Sequence, residues 1–242
     1  MPLLPYSKPD RIEAGIDEAG RGCLFGRVYI AAVVWPHKVA IDPPYEIKDS
    51  KKVTARRRAI LRKYIEENAV SYCVAYLEHS EIDDLNILQA TLAGMHKALD
   101  GLETRPHYIL VDGDRFKPYK DIETGRYIQH ECVKGGDNTY LSIAAASILA
   151  KEYRDEYIKN LCEAEPELKR YGLIKNKGYG TEEHRKAIAE HGVSSYHRLS
   201  FGICRQFSKG RFDKPREAPA PQPRPRQVKL GNVFATLGKN GK

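Results

Sequence analysis

Two adjacent carboxylates, Asp17 and Glu18, end an apolar stretch near the start of the chain, and a glycine-rich turn over residues 20–26 follows at once. Adjacent carboxylates repel each other unless a cation or a proton lies between them. Glycines let the backbone approach a ligand closely, and the turn carries one cation, Arg21. These residue types are typical of a metal site beside an anion site, although a solvated hairpin bend fits this stretch by itself equally well.

Two further acids stand where such a site would be completed. Asp112 follows a short apolar strand predicted over residues 107–111, and Asp137 stands at the start of a long predicted helix. Strand ends and helix N-termini converge on one edge of an α/β sheet, where ligands bind. We therefore expect these acids to join Asp17 and Glu18. Taken singly, Asp112 also fits a turn and Asp137 a helix cap.

Carboxylates brought together in this way form an oxygen-only ligand set. Such sets select hard divalent cations such as Mg²⁺ or Mn²⁺. Two of these ions about 4 Å apart can activate water and stabilise the leaving oxygen during phosphodiester hydrolysis. The acids therefore predict a divalent-metal enzyme that acts on a phosphodiester.

The elements that must position these acids alternate between strands and helices after an opening hairpin, which predicts an α/β fold with a mixed sheet. The expected strands cover residues 11–17, 28–35, 70–77, 107–111 and 126–133. The expected helices cover residues 55–68, a segment opened by Ser80, about 138–163, a segment from Thr181 to about 190, and 194–207. Their expected starts are a Thr54 cap, an acidic capping box of Ser80 with Asp83, and a Thr181 cap.

Apolar residues at helical spacing predict which helix faces are buried. In the first helix these residues are Ile60, Leu61, Tyr64 and Ile65. In the second they are Ile82, Leu85, Leu88, Leu92, Met95 and Leu99. We expect all of them to contribute to the core.

The net charge of +8 is concentrated in one segment. Residues 209–242 hold nine Lys or Arg and two Asp or Glu, a net charge of +7, whereas residues 1–208 hold 31 basic and 30 acidic groups. Five of the fourteen prolines lie between residues 215 and 225. Such a segment buries too little apolar surface to offset its ordering entropy. We interpret 1–208 as one folded domain and 209–242 as a disordered basic tail.

The chain carries no signal for membrane insertion or secretion. No apolar run approaches the roughly 18 residues needed to span a bilayer. The N-terminus has prolines and charges where a secretory signal needs a continuous apolar core. Five widely spaced cysteines without a Cys-x-x-Cys pair indicate reduced thiols. We expect a cytoplasmic protein that is a monomer.

Across almost the entire folded part, the sequence resembles ribonuclease HII, the type 2 ribonucleases H. The matching segments, in chain order, are 15–22, 49–52, 112–113, 136–137, 142–148, 150–151, 154–155, 177–181 with His184, 197–198 and 200–201. Each segment is a weak signal by itself. All of them in order make a specific match.

This resemblance implies an RNase H-like fold, with a central mixed β-sheet flanked by helices and a small helical C-terminal part. It implies metal-dependent cleavage of the RNA strand of RNA–DNA hybrids. It also implies nicking on the 5′ side of single ribonucleotides embedded in duplex DNA, which leaves 3′-hydroxyl and 5′-phosphate ends. The implied cofactors are two divalent ions, Mg²⁺ or Mn²⁺. By position, the metal-binding acids of the family match Asp17, Glu18, Asp112 and Asp137.

The resemblance also implies how the substrate is held. Gly20, Arg21 and Gly22 match the motif that reads the RNA–DNA junction, and Tyr179 matches the tyrosine that stacks on the sugar of the adjoining deoxynucleotide. The 2′-hydroxyl is both donor and acceptor, so glycine backbone can contact it directly, and a guanidinium fork can hold a phosphate. Candidate phosphate contacts, each of which also fits a solvated charge, are Lys51, Lys52, Lys177 and Arg198.

The sequence departs from the usual family pattern in a few places without touching the acids or the Gly-Arg-Gly run. The departures are Cys23, Phe25, Arg27 and Asp114. The first three are expected to alter the rigidity of the turn, and Asp114 adds an acid near the site. His184 and His197 lie in matching segments, and we interpret them as structural.

The tail contains a spacing similar to that of a sliding-clamp peptide. The residues concerned are Gln227, Leu230, Val233 and Phe234. They lack an aromatic pair, so the expected clamp contact is weak.

Two other functional classes compete with this interpretation. A strand that ends in Asp-Gly-Asp at 112–114 also resembles the aspartyl nucleophile of haloacid-dehalogenase-type phosphatases. Those enzymes need Thr or Val soon after, whereas Arg115 follows here, and the phosphatase hypothesis leaves Asp17 and Glu18 without a role. A non-catalytic nucleic-acid-binding protein driven by the tail would not need the acids to be held together.

Overall fold

A mixed β-sheet of six strands forms the centre of the computed structural model, which describes residues 3–37, 47 and 53–208. The tail 209–242 and the predicted contacts Lys51 and Lys52 lie outside the described residues. The strands are β1 (Glu13–Ala19), β2 (Val28–Val34), β3 (Ser71–Leu77), β4 (Tyr108–Asp112), β5 (Tyr119–Lys120) and β6 (Tyr127–Val133). This confirms the predicted α/β class with a mixed sheet.

The spatial order of the strands is β3-β2-β1-β4-β6-β5. The first three strands form an antiparallel meander, whereas β4 runs parallel to β1 and β6 parallel to β4. Because β1, β4 and β6 run the same way, their carboxyl ends share one edge of the sheet. Both Asp17 and Asp112 lie at that edge.

Helices cover both faces of the sheet. They are α1 (Ala55–Asn68), α2 (His79–Leu85), α3 (Ile87–Asp100), α4 (Leu141–Ala164), α5 (Leu173–Asn176) and α6 (Glu182–His191). Short 3-10 helices occupy Gly136–Asn138, Pro166–Tyr171 and Gly202–Phe207. Helices α2 and α3 pack on one face, and α1 and α4 pack on the other. Helices α5 and α6 pack in a small third hydrophobic cluster against the end of α4. This cluster corresponds to the small helical C-terminal part that was expected.

Helix α4 lies directly on β1 because the facing residues are small. Ala144, Ala145 and Ala146 are all buried in this contact. A Cβ atom built on Gly15 would stand only 2.3 Å from the main-chain carbon of Ser142. Glycine is therefore required at position 15, and the close approach brings the start of α4 over the acid-bearing end of the sheet.

Local capping signals predicted two helix starts correctly. The Thr54 side chain accepts a hydrogen bond from the Arg57 amide at the start of α1. The Thr181 side chain does the same for the His184 amide at the start of α6. Because a cap depends on neighbours three residues away, sequence alone identifies it.

The predicted capping box of Ser80 with Asp83 is wrong, and the single helix it opened is two helices. The capping box is formed by Glu78 and Glu81 at the start of α2. Asn86, with φ of 67°, separates α2 from α3 and caps the latter through its side chain. Asp83 instead accepts hydrogen bonds from the main chain of the segment after α6.

Two residues predicted to lie in the core are exposed. Ile60 is 46% exposed and Leu85 is 45% exposed. Ile60 neighbours the buried Leu61, and successive helical residues point about 100° apart, so only one of the two faces the sheet. Leu85 is the last residue of α2, where the chain turns away at Asn86.

Three element boundaries also differ from the prediction. A 3-10 turn precedes α4, so the long helix begins at Leu141 and ends at Ala164. The last predicted helix is reduced to the 3-10 helix Gly202–Phe207.

Among the described residues, no helix combines the length and apolar character required to cross a bilayer.

We predict that Gly15→Ala lowers the free energy of unfolding by roughly 1–3 kcal/mol or more, because the added methyl group overpacks the contact between β1 and α4. Urea denaturation followed by far-UV circular dichroism measures this loss. The matched control is Gly22→Ala, where no atom lies within 4 Å of the added methyl group. Its free energy of unfolding should change by less than about 0.5 kcal/mol. Equal losses in both variants would contradict the packing argument.

Candidate active site

Asp17 and Asp112 lie side by side at the carboxyl edge of the sheet. Strands β1 and β4 pair in parallel with Ile16 opposite Val111, so each acid stands one residue beyond this pair. Asp17 is only 5% exposed. Its Oδ1 atom accepts a hydrogen bond of 2.7 Å from the Glu18 amide, and the Ser147 side chain of α4 also bonds it.

The electrostatics of Asp17 favour a cation at this edge. Burial raises the pKa of Asp17 well above its usual range, and the charges of Glu18 and Asp112 raise it further. These acids therefore lie close enough to repel one another. An oxygen-only donor set under such repulsion fits a hard divalent cation. Within the described residues, no three His, Cys, Asp or Glu side chains already form a group that could hold an ion.

A main-chain hydrogen bond from Gly136 attaches the segment that carries Asp137 to the same edge of the sheet. It lies in the 3-10 helix Gly136–Asn138 and is 2% exposed. The Gly136 amide donates a hydrogen bond of 2.7 Å to Oδ1 of Asp112, and the Asn138 side chain donates one of 2.9 Å to Oδ1 of Asp137. Tyr140 is the N-cap residue of α4. Asp137 is therefore not the cap of that helix, and the simple capping interpretation is excluded.

The turn after β1 is tight and partly open to solvent. Gly20 has a φ of +91°, and a Cβ atom there would lie 2.0 Å from Nε of Arg154. Gly22 has no neighbouring atom in that position within 4 Å. The Arg21 side chain is half exposed, with Nη1 3.5 Å from Oε1 of Glu18. Only glycine fits at position 20, and the turn presents open backbone at position 22.

Tyr179 lies beside this turn. Cys23 forms an antiparallel bridge with Tyr179, and the Leu24 amide donates a hydrogen bond of 2.8 Å to the Gly178 carbonyl. The Tyr179 side chain is 43% exposed, and the Arg154 guanidinium carbon lies 5.9 Å from its ring centroid. Burial raises the pKa of the Tyr179 phenol, with a further contribution from Cys23. The partly exposed Tyr179 therefore lies beside Cys23, which directly follows Gly20–Gly22.

Arg154 is a central residue of this region for which the sequence predicted no role. It is buried in α4 and donates hydrogen bonds to the carbonyls of Phe25 (3.2 Å), Arg27 (3.3 Å) and Lys177 (2.8 Å). It thereby ties the glycine turn to the Tyr179 segment. The signal available in the sequence was the spacing of four residues to the buried Ile158, which places Arg154 on an apolar helix face.

Arg198 corrects the prediction that it contacts phosphate. It is 0% exposed, and its guanidinium donates to the carbonyls of Gly26 (2.8 Å) and Arg21 (3.1 Å). Burial lowers the pKa of Arg198 to about 10. The Arg198 guanidinium therefore supports the turn from the protein interior and does not face solvent. Lys177 adopts a left-handed backbone, with φ of 52°, and its predicted phosphate contact stays a prediction.

Three of the four departures from the family pattern pack tightly around the turn, whereas the fourth, Asp114, is exposed. The Phe25 ring meets the His197 ring edge-on at a centroid distance of 5.1 Å. The Arg27 guanidinium lies 4.0 Å from the Tyr76 ring centroid and 4.5 Å from that of Tyr157. Cys23 is buried, and none of the five cysteines, all of which lie in the described part of the chain, forms a disulfide. Side-chain packing therefore supports the shape of the turn at these positions.

A mixed sheet flanked by helices, with acids at the carboxyl edge of its parallel strands, places the protein in the RNase H-like class of nucleases. The ribonuclease HII family profile matches residues 14–204, and the chain belongs to that family. It is therefore an enzyme, a ribonuclease H that acts on RNA–DNA hybrids and depends on divalent metal. This membership also sets aside the phosphatase and non-catalytic hypotheses.

Two relatives named ribonuclease HII illustrate how complete the match is. The protein from Bacteroides thetaiotaomicron is 49% identical over 201 residues, which cover 83% of this chain and 94% of the relative. The protein from Phocaeicola vulgatus is 48% identical over 202 residues, with the same shares of 83% and 94%.

Solved structures share the fold at lower sequence identity. Ribonuclease H2 from Pyrococcus horikoshii matches with a TM-score of 0.66 and 24% identity, over 84% of this chain and 99% of the other. RNase HII of Archaeoglobus fulgidus, solved in complex with PCNA, matches with a TM-score of 0.62 and 24% identity, over 86% of this chain and 98% of the other. Bst-RNase HIII in complex with Mn²⁺ matches with a TM-score of 0.60 and 22% identity, over 82% of this chain and 70% of the other.

We predict that Asp17→Asn stabilises the metal-free protein. Folding raises the pKa of the Asp17 carboxyl group, so its ionisation destabilises the folded state. This loss of stability begins as the pH rises above the pKa in the unfolded chain. It is complete above the raised pKa of the folded state. Removing the charge should raise Tm near pH 8 by about 2–4 °C, or roughly 1 kcal/mol for a chain of this size. The gain should shrink as the pH falls towards the unfolded pKa of about 4.

Thermal melting with and without EDTA measures this difference. The control is Asp114→Asn, because Asp114 is exposed and lies two residues beyond Asp112. Its Tm should stay within about 1 °C of the parent value. A lower Tm for Asp17→Asn near pH 8 in EDTA would contradict the proposed repulsion.

Proposed function

We propose that the enzyme uses two divalent cations and nicks duplex DNA on the 5′ side of a single embedded ribonucleotide, leaving 3′-hydroxyl and 5′-phosphate ends. The observation that carries this proposal is the connection of Glu18 to the turn through Arg21, and of the turn to Tyr179 through the β-bridge that Cys23 forms. The proposed acids and substrate-reading residues are thus parts of one connected unit. Such a unit is suited to choosing one phosphodiester among many.

The proposed metal-binding residues are Asp17, Glu18, Asp112 and Asp137. Bound divalent cations would supply an activated water and neutralise charge on the leaving oxygen. The chain's part is to hold its carboxylates in place before the substrate arrives. The Ser147 side chain and the Glu18 amide orient Asp17, and the Gly136 amide orients Asp112. These bonds leave other carboxylate lone pairs available for ions, since each carboxylate accepts several bonds.

The proposed substrate-reading residues are Gly20, Arg21, Gly22 and Tyr179. The open backbone at Gly22 allows a ribose to approach within hydrogen-bond distance, and a 2′-hydroxyl can both donate and accept there. Arg21, half exposed, can hold the adjoining phosphate through its planar fork. The partly exposed Tyr179 ring provides a stacking surface for the sugar on the other side of the junction.

Lys51, Lys52 and Lys177 remain the proposed phosphate contacts that orient the duplex. Such contacts position the protein without reading sequence or sugar. Arg198 is removed from this set because its guanidinium is buried beneath the turn.

We predict that a DNA duplex with one internal ribonucleotide is nicked 5′ of it in Mg²⁺ or Mn²⁺, and that Asp112→Asn lowers the rate by at least about a hundredfold. Loss of a charged ligand weakens both ion binding and charge stabilisation, and each factor of ten in rate corresponds to about 1.4 kcal/mol. Denaturing gel electrophoresis of an end-labelled strand measures the position and the rate of the cut.

The matched control for Asp112→Asn is Asp10→Asn, because Asp10 is an exposed acid before β1, away from the carboxyl edge. It should cut at the parent rate. A wild-type enzyme that cuts a continuous RNA–DNA hybrid and leaves the single-ribonucleotide duplex intact would disprove the proposed specificity. Undiminished cutting by Asp112→Asn would disprove the metal site.

We predict that deleting residues 209–242 weakens substrate binding and flattens its salt dependence while kcat is retained. The tail carries a net charge of +7. Each lost phosphate contact should reduce the slope of log K against log salt by about 0.9 on duplex DNA. Replacing the three arginines 216, 224 and 226 by Gln keeps the length of the tail and should reproduce part of the change. An unchanged slope in the deletion would show that the tail does not contact the substrate.

A weak contact between the tail and a sliding clamp is a further part of the proposal. The residues concerned are Gln227, Leu230, Val233 and Phe234. The Archaeoglobus fulgidus enzyme was solved in complex with PCNA, which supports asking the same of this chain. Comparison of the full chain with the 209–242 deletion in a clamp-binding titration decides whether the contact exists.

A further inference from the structure

Two buried histidines form a hydrogen-bonded pair behind Tyr179. His184 lies in α6, His197 lies in the segment that follows it, and their Nε2 atoms are 3.1 Å apart. Both side chains are essentially without solvent exposure. Neither ring belongs to the proposed acid site or contacts the proposed path of the substrate. Their arrangement therefore needs another explanation.

The neighbours of the pair determine the position of each proton. The Tyr179 carbonyl can only accept, so Nδ1 of His184, 2.9 Å away, must be the donor. The Ser194 amide can only donate, so Nδ1 of His197, also 2.9 Å away, must be the acceptor. A neutral His184 then accepts at Nε2, and His197 donates there. The result is one directed chain from Ser194 through both rings to the Tyr179 carbonyl.

An additional proton would disrupt this chain. A second proton on His184 would place two N–H donors face to face at the His–His contact. A second proton on His197 would face the Ser194 amide and leave only the Ser194 hydroxyl, also 2.9 Å away, as an acceptor. Burial lowers the pKa of both imidazoles, that of His197 to about 3. The titratable groups facing the pair are Tyr171, whose ring lies 4.8 Å from that of His197, and His79. Burial and the hydrogen-bond arrangement therefore favour the neutral form of both rings at neutral pH.

The chain ends on the two pieces of the proposed substrate-reading surface. The Tyr179 carbonyl accepts one bond from His184 and a second from the Thr181 amide (2.8 Å), so both of its lone pairs are used. His197 packs edge-on against Phe25 of the glycine turn and pairs with it through a β-bridge. The pair thus spans the distance between the turn and the Tyr179 segment.

We propose that His184 and His197 are positioning residues that fix Tyr179 against the glycine turn and thereby sharpen the preference for a ribonucleotide–deoxyribonucleotide junction. The proposal rests on the proposed role of Tyr179 in stacking. Neither histidine touches the substrate. Their contribution is the hydrogen bond from Nδ1 of His184 to the Tyr179 carbonyl, which holds the Tyr179 backbone in one position relative to Gly20–Gly22, and His197 fixes the tautomer in which Nδ1 carries that proton.

Matched substitutions at His184 separate positioning from simple filling of space. His184→Asn keeps a donor close to the position of Nδ1, whereas His184→Leu keeps the volume and loses the donor. We expect His184→Leu to lower kcat/KM on the single-ribonucleotide duplex by about tenfold or more, because small displacements of positioning groups are costly. The loss on a continuous RNA–DNA hybrid should be smaller. His184→Asn should restore most of the preference.

A double-mutant cycle with Tyr179→Ala provides a readout that a merely structural role would not move. If His184 acts through Tyr179, His184→Leu should change the substrate preference little further once the ring is gone. Additive losses in the preference would overturn the proposal. So would a His184→Asn variant as defective as His184→Leu while both melt near the parent Tm. If Tyr179→Ala leaves the preference unchanged, the stacking role fails and this inference fails with it.

The proton positions are tested independently of catalysis. In histidine-labelled protein, ¹⁵N NMR should show the Nδ1–H tautomer for His184 and the Nε2–H tautomer for His197. Neither should titrate near the ordinary histidine pKa of about 6.5. Titration of either ring in that range, or the opposite tautomers, would overturn the directed chain even if single ribonucleotides are cut. Failure to cut single ribonucleotides, with the expected tautomers present, would locate the error in the proposed specificity.

Discussion

Hydrogen bonds from two buried guanidiniums to main-chain carbonyls hold the functional region together. Arg154 binds carbonyls of the glycine turn and of Lys177, and Arg198 binds those of Arg21 and Gly26. Burying a cation is costly unless its donors find acceptors. Arg154 donates from all three of its guanidinium nitrogens, whereas Arg198 donates from Nε and Nη1. The planar fork of arginine can reach carbonyls from separate segments. Gly20 is part of the same constraint, because Arg154 occupies the space where a side chain would stand.

Helix α4 connects the acid-bearing strand β1 to the glycine turn. Ser147 bonds the Asp17 carboxylate, and Arg154 lies seven residues further along, about 10 Å at 1.5 Å per residue. The same helix is pressed onto β1 at Gly15. A shift of α4 would therefore displace the acids and the turn together. The proposed acid site and the proposed substrate-reading turn therefore share one support.

The elements of the fold were predictable where the signal is local. The caps at Thr54 and Thr181 depend on neighbours three residues away, and the strands that carry Asp17 and Asp112 stand out by composition. The break at Asn86 was missed because apolar spacing continues through it, and only the left-handed backbone separates the helices. Ile60 was misplaced because spacing alone does not say which of two adjacent apolar residues meets the sheet.

The sequence by itself determined the kind of chemistry, because acids at strand ends, a glycine turn and the segments that match the family are all visible in short stretches of sequence. Only the tertiary structure decided what the buried polar residues do. Arg198 looked like a phosphate contact and instead supports the turn, and His184 gains its direction from His197 and Tyr179. The physical reason is that the role of a buried hydrogen-bond donor depends on which acceptor it binds. These acceptors are main-chain carbonyls, which every residue type carries and no sequence pattern marks.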